Sequence, residues 1–314
     1  MVAPPVPTVE ATAPRTKPVR RGRRRRLTAR DITVLAIVVG VTVALDVALI
    51  WGTTLVSIYL SFTNYDGISA IHWVGLKNYH DIVTIYPAFW VAVRNNLLWL
   101  GFLGLISTPM GLFLAVLLDR KLRFSRFYQG ALYMPVALSL AVVGFIAQLI
   151  LSPDQGALNV ILGRTHGNGI DFLGNSHINI WMVLIFAGWR HTGYIMILYL
   201  AGLKSVDPGL KEAAMIDGAN PVQTFFRVVF PTMRPINVIV LVITVIESLR
   251  AFDIVYAINT GRNGLQLLSV LVVDNIIGEA SRIGYGSAVA VMLLLVTLGF
   301  VITYLVQILR EDNG

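Results

Sequence analysis

Six stretches of this chain are each long and apolar enough to cross a bilayer, and that removes most folds from consideration. A helix needs about 20 apolar residues to traverse a hydrocarbon core of about 30 Å. The stretches lie at roughly 32–60, 94–118, 128–151, 178–202, 236–258 and 285–309. Lipid offers no hydrogen-bonding partner to a bare backbone, so each must satisfy its own amides as a helix. Composition agrees: 56% of the 314 residues are hydrophobic and 13% charged, where a soluble domain carries about 25% charged residues. The expected fold is an all-α integral membrane protein with six transmembrane helices. The first stretch, "ITVLAIVVGVTVALDVALIWGTTLVSIYL", is long enough to tilt or to emerge on the far side.

Lys and Arg in the loops set the orientation. With the N-terminus inside, the inner segments are the arm "RTKPVRRGRRRRLTAR", the loop "DRKLRFSRF" (119–127), the 203–235 stretch and the tail "REDNG". The outer loops hold only Lys77, Arg164, Arg262 and Arg282. Both termini are therefore expected to be cytoplasmic. The organisation that follows is a basic arm at 1–31, a transmembrane domain at 32–310 and a cytoplasmic tail at 311–314. The arm's first fourteen residues, rich in Pro and Ala, are expected to be disordered. Its arginines suit anionic lipid rather than nucleic acid, and the stretch after it is too long for a signal-peptide core. The net charge of +8 comes largely from this arm, and the chain has no cysteine for disulfides or thiolate chemistry.

One inner segment is unlike a simple linker. "KEAAMIDGANPVQTFFRVVFPTMRP" (211–235) carries charges, a glycine and three prolines. Asp207-Pro208 predicts a helix start, with Asp as cap and Pro in the first turn. Gly218 is the natural residue after the helix end, where a left-handed backbone is required. Asn220-Pro221-Val222-Gln223 predicts a second start with a capping box, and Pro231 and Pro235 lead into the next span. The expected module is helix, sharp turn, helix. Ala213, Ala214, Gly218 and Ala219 would let another surface approach closely, with Lys211, Glu212 and Asp217 fixing its orientation. An amphipathic helix resting on the bilayer is the plainer alternative.

"EAAMIDGANPVQTFFRVVFP" resembles the EAA loop of the membrane subunits of binding-protein-dependent ABC importers, with Glu212, Ala213, Ala214, Gly218 and Phe230-Pro231 at the matching positions. "SFTNYD", "VGLKNYHDIV", "RFYQGALYMPVALS", "AFDIVYAINTG" and "GYGSAVAVMLLL" resemble the carbohydrate branch of that family. The resemblance runs from about Ile32 to Gln307. It departs at "IWGTTL" in span one and at Arg262-Asn263-Gly264, where the family usually has Gly-Gly-Pro. It implies a permease subunit in a bacterial cytoplasmic membrane, multi-pass and without catalysis of its own. The implied partners are a second, similar permease, two ATPase subunits that bind ATP and Mg, and an extracytoplasmic solute-binding protein. It also implies that Glu212, Ala213, Ala214, Asp217, Gly218 and Ala219 couple the chain to the ATPase. The substrate implied is a carbohydrate, foremost an oligosaccharide; a glycerol-phosphate compound is the alternative within the family, and a self-sufficient secondary transporter the alternative outside it.

The residues themselves point the same way. There is no GxxxxGK[ST] phosphate cradle, and His72, His80, His166, His177 and His191 have no metal-ligand spacing. No cofactor is therefore expected on this chain. Ionisable groups inside spans are costly, so they line a cavity or pair with each other. Span four holds Trp189, Arg190, His191 and Tyr194; span five holds Glu247, Arg250 and Asp253 at three-residue intervals, which places them along one drifting face of a helix. Two readings stand: a polar pathway including Phe252, Tyr256 and Asn259, or an internal Glu247–Arg250 ion pair holding the bundle together.

Overall fold

The computed structural model describes residues 28–120, 123–164, 167–278 and 281–312. Most of the basic arm, His166 and the last two residues of the tail lie outside them. Among the described residues all regular structure is helical, apart from one isolated bridge between Thr63 and Trp73. The chain divides into two units, Met1–Thr53 and Thr54–Gly314.

In the first unit, α1 (Ala29–Asp46) runs into a π turn, Val47–Gly52. From Val34 to Ile50 its Val, Leu and Ile side chains stand exposed, as they would against lipid. Its polar hydroxyls are satisfied locally: Thr42 donates to the Val38 carbonyl at 2.8 Å and Thr53 to the Leu49 carbonyl at 2.5 Å. Such i−4 bonds let a threonine sit in an apolar helix without an orphan donor.

The second unit contains α2 (Thr53–Ser61), α3 (Lys77–Thr84), α4 (Pro87–Phe102) and α5 (Thr108–Asp119), the last two joined by a π turn at Leu103–Ser107. Then come α6 (Ser125–Ala137), α7 (Leu140–Leu151), α8 (Ala157–Ile161) and the long α9 (Asn179–Ser205). α10 (Pro208–Ile216), α11 (Pro221–Thr224), a π turn at Phe225–Val229 and α12 (Phe230–Thr232) form the 203–235 module. α13 (Arg234–Leu249), α14 (Asp253–Asn259), α15 (Leu268–Ile276) and α16 (Ile283–Asp312) complete the chain.

By length and composition, four helical stretches among the described residues can cross a membrane: Thr33–Ser61, Pro87–Asp119, Asn179–Ser205 and Ile283–Tyr304. Two of the six expected spans differ from straight helices. The stretch expected at 128–151 bends by 95° between α6 and α7. Pro135 sits in the last turn of α6 and Ser139 caps α7, accepting from the Val142 amide at 3.3 Å. The stretch expected at 236–258 is broken: α13 ends at Leu249 and α14 begins at Asp253.

A broken helix in lipid needs other groups to satisfy its freed carbonyls. Side chains from distant segments do so here. The Asn96 amide donates to the Ser248 carbonyl at 3.1 Å and accepts from the Leu268 amide at 3.0 Å. Gln148 donates to the carbonyls of Ala257 and Ile258 at the far end of α14, and Ser269 donates to that of Ala251. The break is thus held by α4 and α15, while α7 holds the other end of α14.

α9 is the central post. Around its N-terminal half cluster Val143 and Ala147 of α7 and Ile254 and Val255 of α14; around its C-terminal half cluster Ala115 of α5, Met233 and Val240. Small residues permit the contact: a side chain at Gly111 would meet Ile195 at 2.9 Å, and one at Gly193 the Leu132 carbonyl at 2.4 Å. Such close backbone approach is how membrane helices gain packing without a hydrophobic drive.

Candidate functional site

Beside α9 lie two cavities, of about 240 Å³ and about 340 Å³. The first is lined by Trp99, Leu103, Arg190, His191, Glu247, Arg250, Ala251 and Asp253 among others, the second by Val136, Arg190, Tyr194, Ile243, Ile246 and Glu247. Arg190 and Glu247 belong to both. The break between α13 and α14 turns Arg250 and Asp253 into the first cavity from separate elements. They are therefore not on one continuous helix face, contrary to the expectation from their spacing.

The ion pair also differs from the one expected. Glu247 Oε2 lies 4.0 Å from Nη1 of Arg190, across the gap between α13 and α9; among the described residues its partner is Arg190, not Arg250. Arg250 falls at the end of α13 (φ −93°, ψ 4°), so the helical turn that would hold it over Glu247 is opening there. Nε of Arg190 donates to the Leu138 carbonyl at 3.4 Å, at the elbow between α6 and α7. One guanidinium thus touches both interrupted helices.

Two groups missed from the sequence, Thr244 and Thr108, sit behind this pair together with His191. Thr244 gives its single hydroxyl proton to the Val240 carbonyl at 2.8 Å. Thr108 Oγ1 and His191 Nε2, each 3.2 Å away, must then donate to it. These residues are 136 and 53 positions from Thr244 in sequence, so no local pattern could have joined them.

The remaining candidates are dispersed. Phe252 and Tyr256 stack with centroids 4.8 Å apart; neither lines the two cavities, nor does Trp189, which is exposed. The Asn259 amide donates to the Arg262 carbonyl at 3.0 Å and accepts from the Gly261 amide at 3.1 Å, closing a turn.

The 203–235 module has the expected local geometry. Asp207 caps α10 through the Gly209 amide at 2.8 Å. Gly218 has φ +83°; its amide donates to the Met215 carbonyl and that of Ala219 to the Ala214 carbonyl, the pattern of a Schellman motif. Asn220 and Gln223 form a reciprocal capping box, both bonds 2.9 Å. Glu212, Ala213, Asp217 and Gly218 are exposed and Ala219 half-buried. Ala214 is buried, contrary to expectation, because α10 packs that face on the Phe225–Val229 turn. The exposed tip is apolar instead at Met215 and at Ile216, which is 87% exposed. Lys211 Nζ lies 3.5 Å from Asp119 Oδ2 at the end of α5, tying the module to that helix.

In the loop between α2 and α3, Asp66 accepts from the amides of Ile68 and Ser69 and from the Ser69 hydroxyl. The hydroxyl first, then the two amides, hold its carboxyl down to about 2.

Residues 107–312 match the family described as binding-protein-dependent transport system inner membrane component. A probable ABC transporter permease protein of Pyrococcus horikoshii is 34% identical over 266 residues, covering 82% of this chain and 88% of that protein. The xylose/arabinose import permease protein XacH of Haloferax volcanii is 33% identical, covering 82% of each. Among solved structures, a chain of a bacterial ABC transporter involved in import of the acidic polysaccharide alginate matches with a TM-score of 0.76 at 22% identity, over 90% of this chain and 96% of that one.

Proposed function

Because the chain belongs to the family of binding-protein-dependent transport system inner membrane components, we propose that it is the permease subunit that forms half of the pathway for a carbohydrate, an oligosaccharide or another sugar. The observation that carries this reading is the cluster of Arg190, Glu247, Arg250 and Asp253 around the cavities beside α9. Glu247, Arg250 and Asp253 are exposed in this chain. In a bilayer, such groups must meet water or a protein partner, because facing lipid is too costly. A second permease closing over this face would leave a polar lumen between the two. Its charged groups bond sugar hydroxyls, and Tyr194 at its wall offers a face on which a sugar ring stacks. The sugar branch is supported by the Haloferax relative, a xylose/arabinose import permease protein.

In this reading the chain crosses the membrane six times. The bent α6–α7 pair and the broken α13–α14 pair count as one crossing each, both termini are cytoplasmic, and the domain runs from 32 to 310 between the arm at 1–31 and the tail at 311–314. The 203–235 module then faces the cytoplasm. The α10 end, with Glu212, Ala213, Asp217, Gly218 and Ala219 around it, docks on one of two ATPase subunits that carry ATP and Mg. Ala214 serves from behind, as the packing residue that seats α10. Substrate arrives on an extracytoplasmic binding protein.

The test is reconstitution of the chain in vesicles with its cognate permease, ATPase and binding protein, followed by a panel of pentoses and their oligomers. ATP-driven uptake that needs the binding protein is expected for at least one sugar. Uptake independent of both ATP and binding protein would overturn the reading in favour of a self-sufficient transporter.

A further inference from the structure

The two cavities share a wall, and that wall is an ion pair. Along α9 the first cavity is lined by Ala187, Arg190 and His191, the second by Arg190 and Tyr194. Along α13 the second is lined by Ile243, Ile246 and Glu247, while the first takes over at Glu247 and continues to Arg250 and beyond. The cavities are therefore stacked end to end along the same two helices. Arg190 and Glu247, 4.0 Å apart, stand at the junction.

We propose that the Arg190–Glu247 pair is a gate inside the pathway, separating the cavity at Trp99 and Asp253 from the cavity at Tyr194 and Ile246. The proposal rests on the transport reading above and adds the closing element to it. Three features suit the pair to this task. It joins separate elements, so a small separation of α9 from α13 breaks it. Arg190 also holds the Leu138 carbonyl at the 95° elbow, and Glu247 lies in the last turn of α13 before its break, so Arg190 is bonded to one interrupted helix and Glu247 belongs to the other. Helix interruptions are where such chains bend. Finally, a charged pair closes the way selectively. Sugar hydroxyls both donate and accept, so a passing sugar replaces each partner's bond as the pair opens; an apolar molecule offers nothing in exchange, and the two charges stay together.

The probe is radiolabelled xylose loaded into vesicles that hold the full importer without ATP or binding protein. Glu247→Gln and Arg190→Gln should each raise passive efflux by about tenfold, equivalent to about 1.4 kcal/mol. The double variant should leak no more than the leakier single one, because both changes break the same contact. Glu247→Asp keeps the charge facing the guanidinium and should leak less than Glu247→Gln. Additive leaks, or equal leaks from the Asp and Gln variants, overturn the gate; so do tight vesicles for both Gln variants. Should E247Q fail to accumulate, Arg190→Lys against R190Q makes the same comparison. Wild-type vesicles that show no ATP-driven uptake count against the transport reading. Wild-type vesicles that take up sugar beside a tight E247Q count against the gate alone.

Discussion

Replacing Asn96 with leucine should unseat the break in the fifth apolar stretch. The two side chains are similar in size, and Asn96 is 2% exposed, so the change is nearly pure hydrogen-bond loss. Two backbone groups are orphaned: the Ser248 carbonyl, bonded at 3.1 Å, and the Leu268 amide, bonded at 3.0 Å. The longer contact to the Leu249 carbonyl, 3.4 Å, adds little. Each buried orphan costs about 1–3 kcal/mol. The lower half of the summed range, about 3 kcal/mol, is the fair value, because leucine returns some packing. At roughly 2–4 °C per kcal/mol, Tm in detergent should fall by about 6–12 °C. Asn96→Asp separates the two bonds. As a carboxylate it can still accept from Leu268 but cannot donate to Ser248, and it buries a charge, so at a pH that keeps it ionised it should be worse than leucine. The assay is thermal unfolding followed by loss of the monodisperse peak, with sugar uptake measured in parallel. An unchanged Tm for N96L, or N96D milder than N96L, would refute the claim that this amide holds the break open.

Further expectations concern other parts of the chain. Gly218→Val forces a β-branched residue into φ +83°, at about 1–2 kcal/mol of local strain; no neighbour stands within 4 Å of its Cβ. Membrane insertion should therefore survive while ATPase co-purification and uptake fall, and full retention of both would make the module an ordinary loop. Glu212→Lys should act on docking in the same way. Reporter fusions at Gly314 and near Asn168 should report opposite sides of the membrane; the same side would remove the six-crossing topology. Asp66, depressed from 3.8 to about 2, supports its loop fully above pH 3.8 and loses that support as pH falls through about 2. The Tm difference between wild type and Asp66→Ala should accordingly vanish over that window, and a constant difference would mean that the carboxylate plays no such part.

The sequence by itself determined the membrane class, because no soluble fold accommodates so many long apolar runs with so few charges. It also determined the local geometry of the 203–235 module. Asp207, Gly218, Asn220 and Gln223 act within a few residues of themselves, through caps and a left-handed turn, so their roles are readable from spacing. The family followed from the same stretch. What the spacing could not carry was any outcome depending on a distant partner. Glu247 has Arg250 three residues away, yet it pairs with Arg190 because α13 ends between them and α9 lies alongside. At that break Asn96 and Ser269 hold the carbonyls of Ser248 and Ala251, which a continuous helix would have bonded to its own amides. Ala214 looked as available as Ala213, but packing against the Phe225–Val229 turn took one and left the other. Apolar periodicity reports only how much lipid a segment tolerates. Where a helix stops inside that lipid is decided by which other segment brings a donor to its last carbonyls, and that is settled only when the helices are packed.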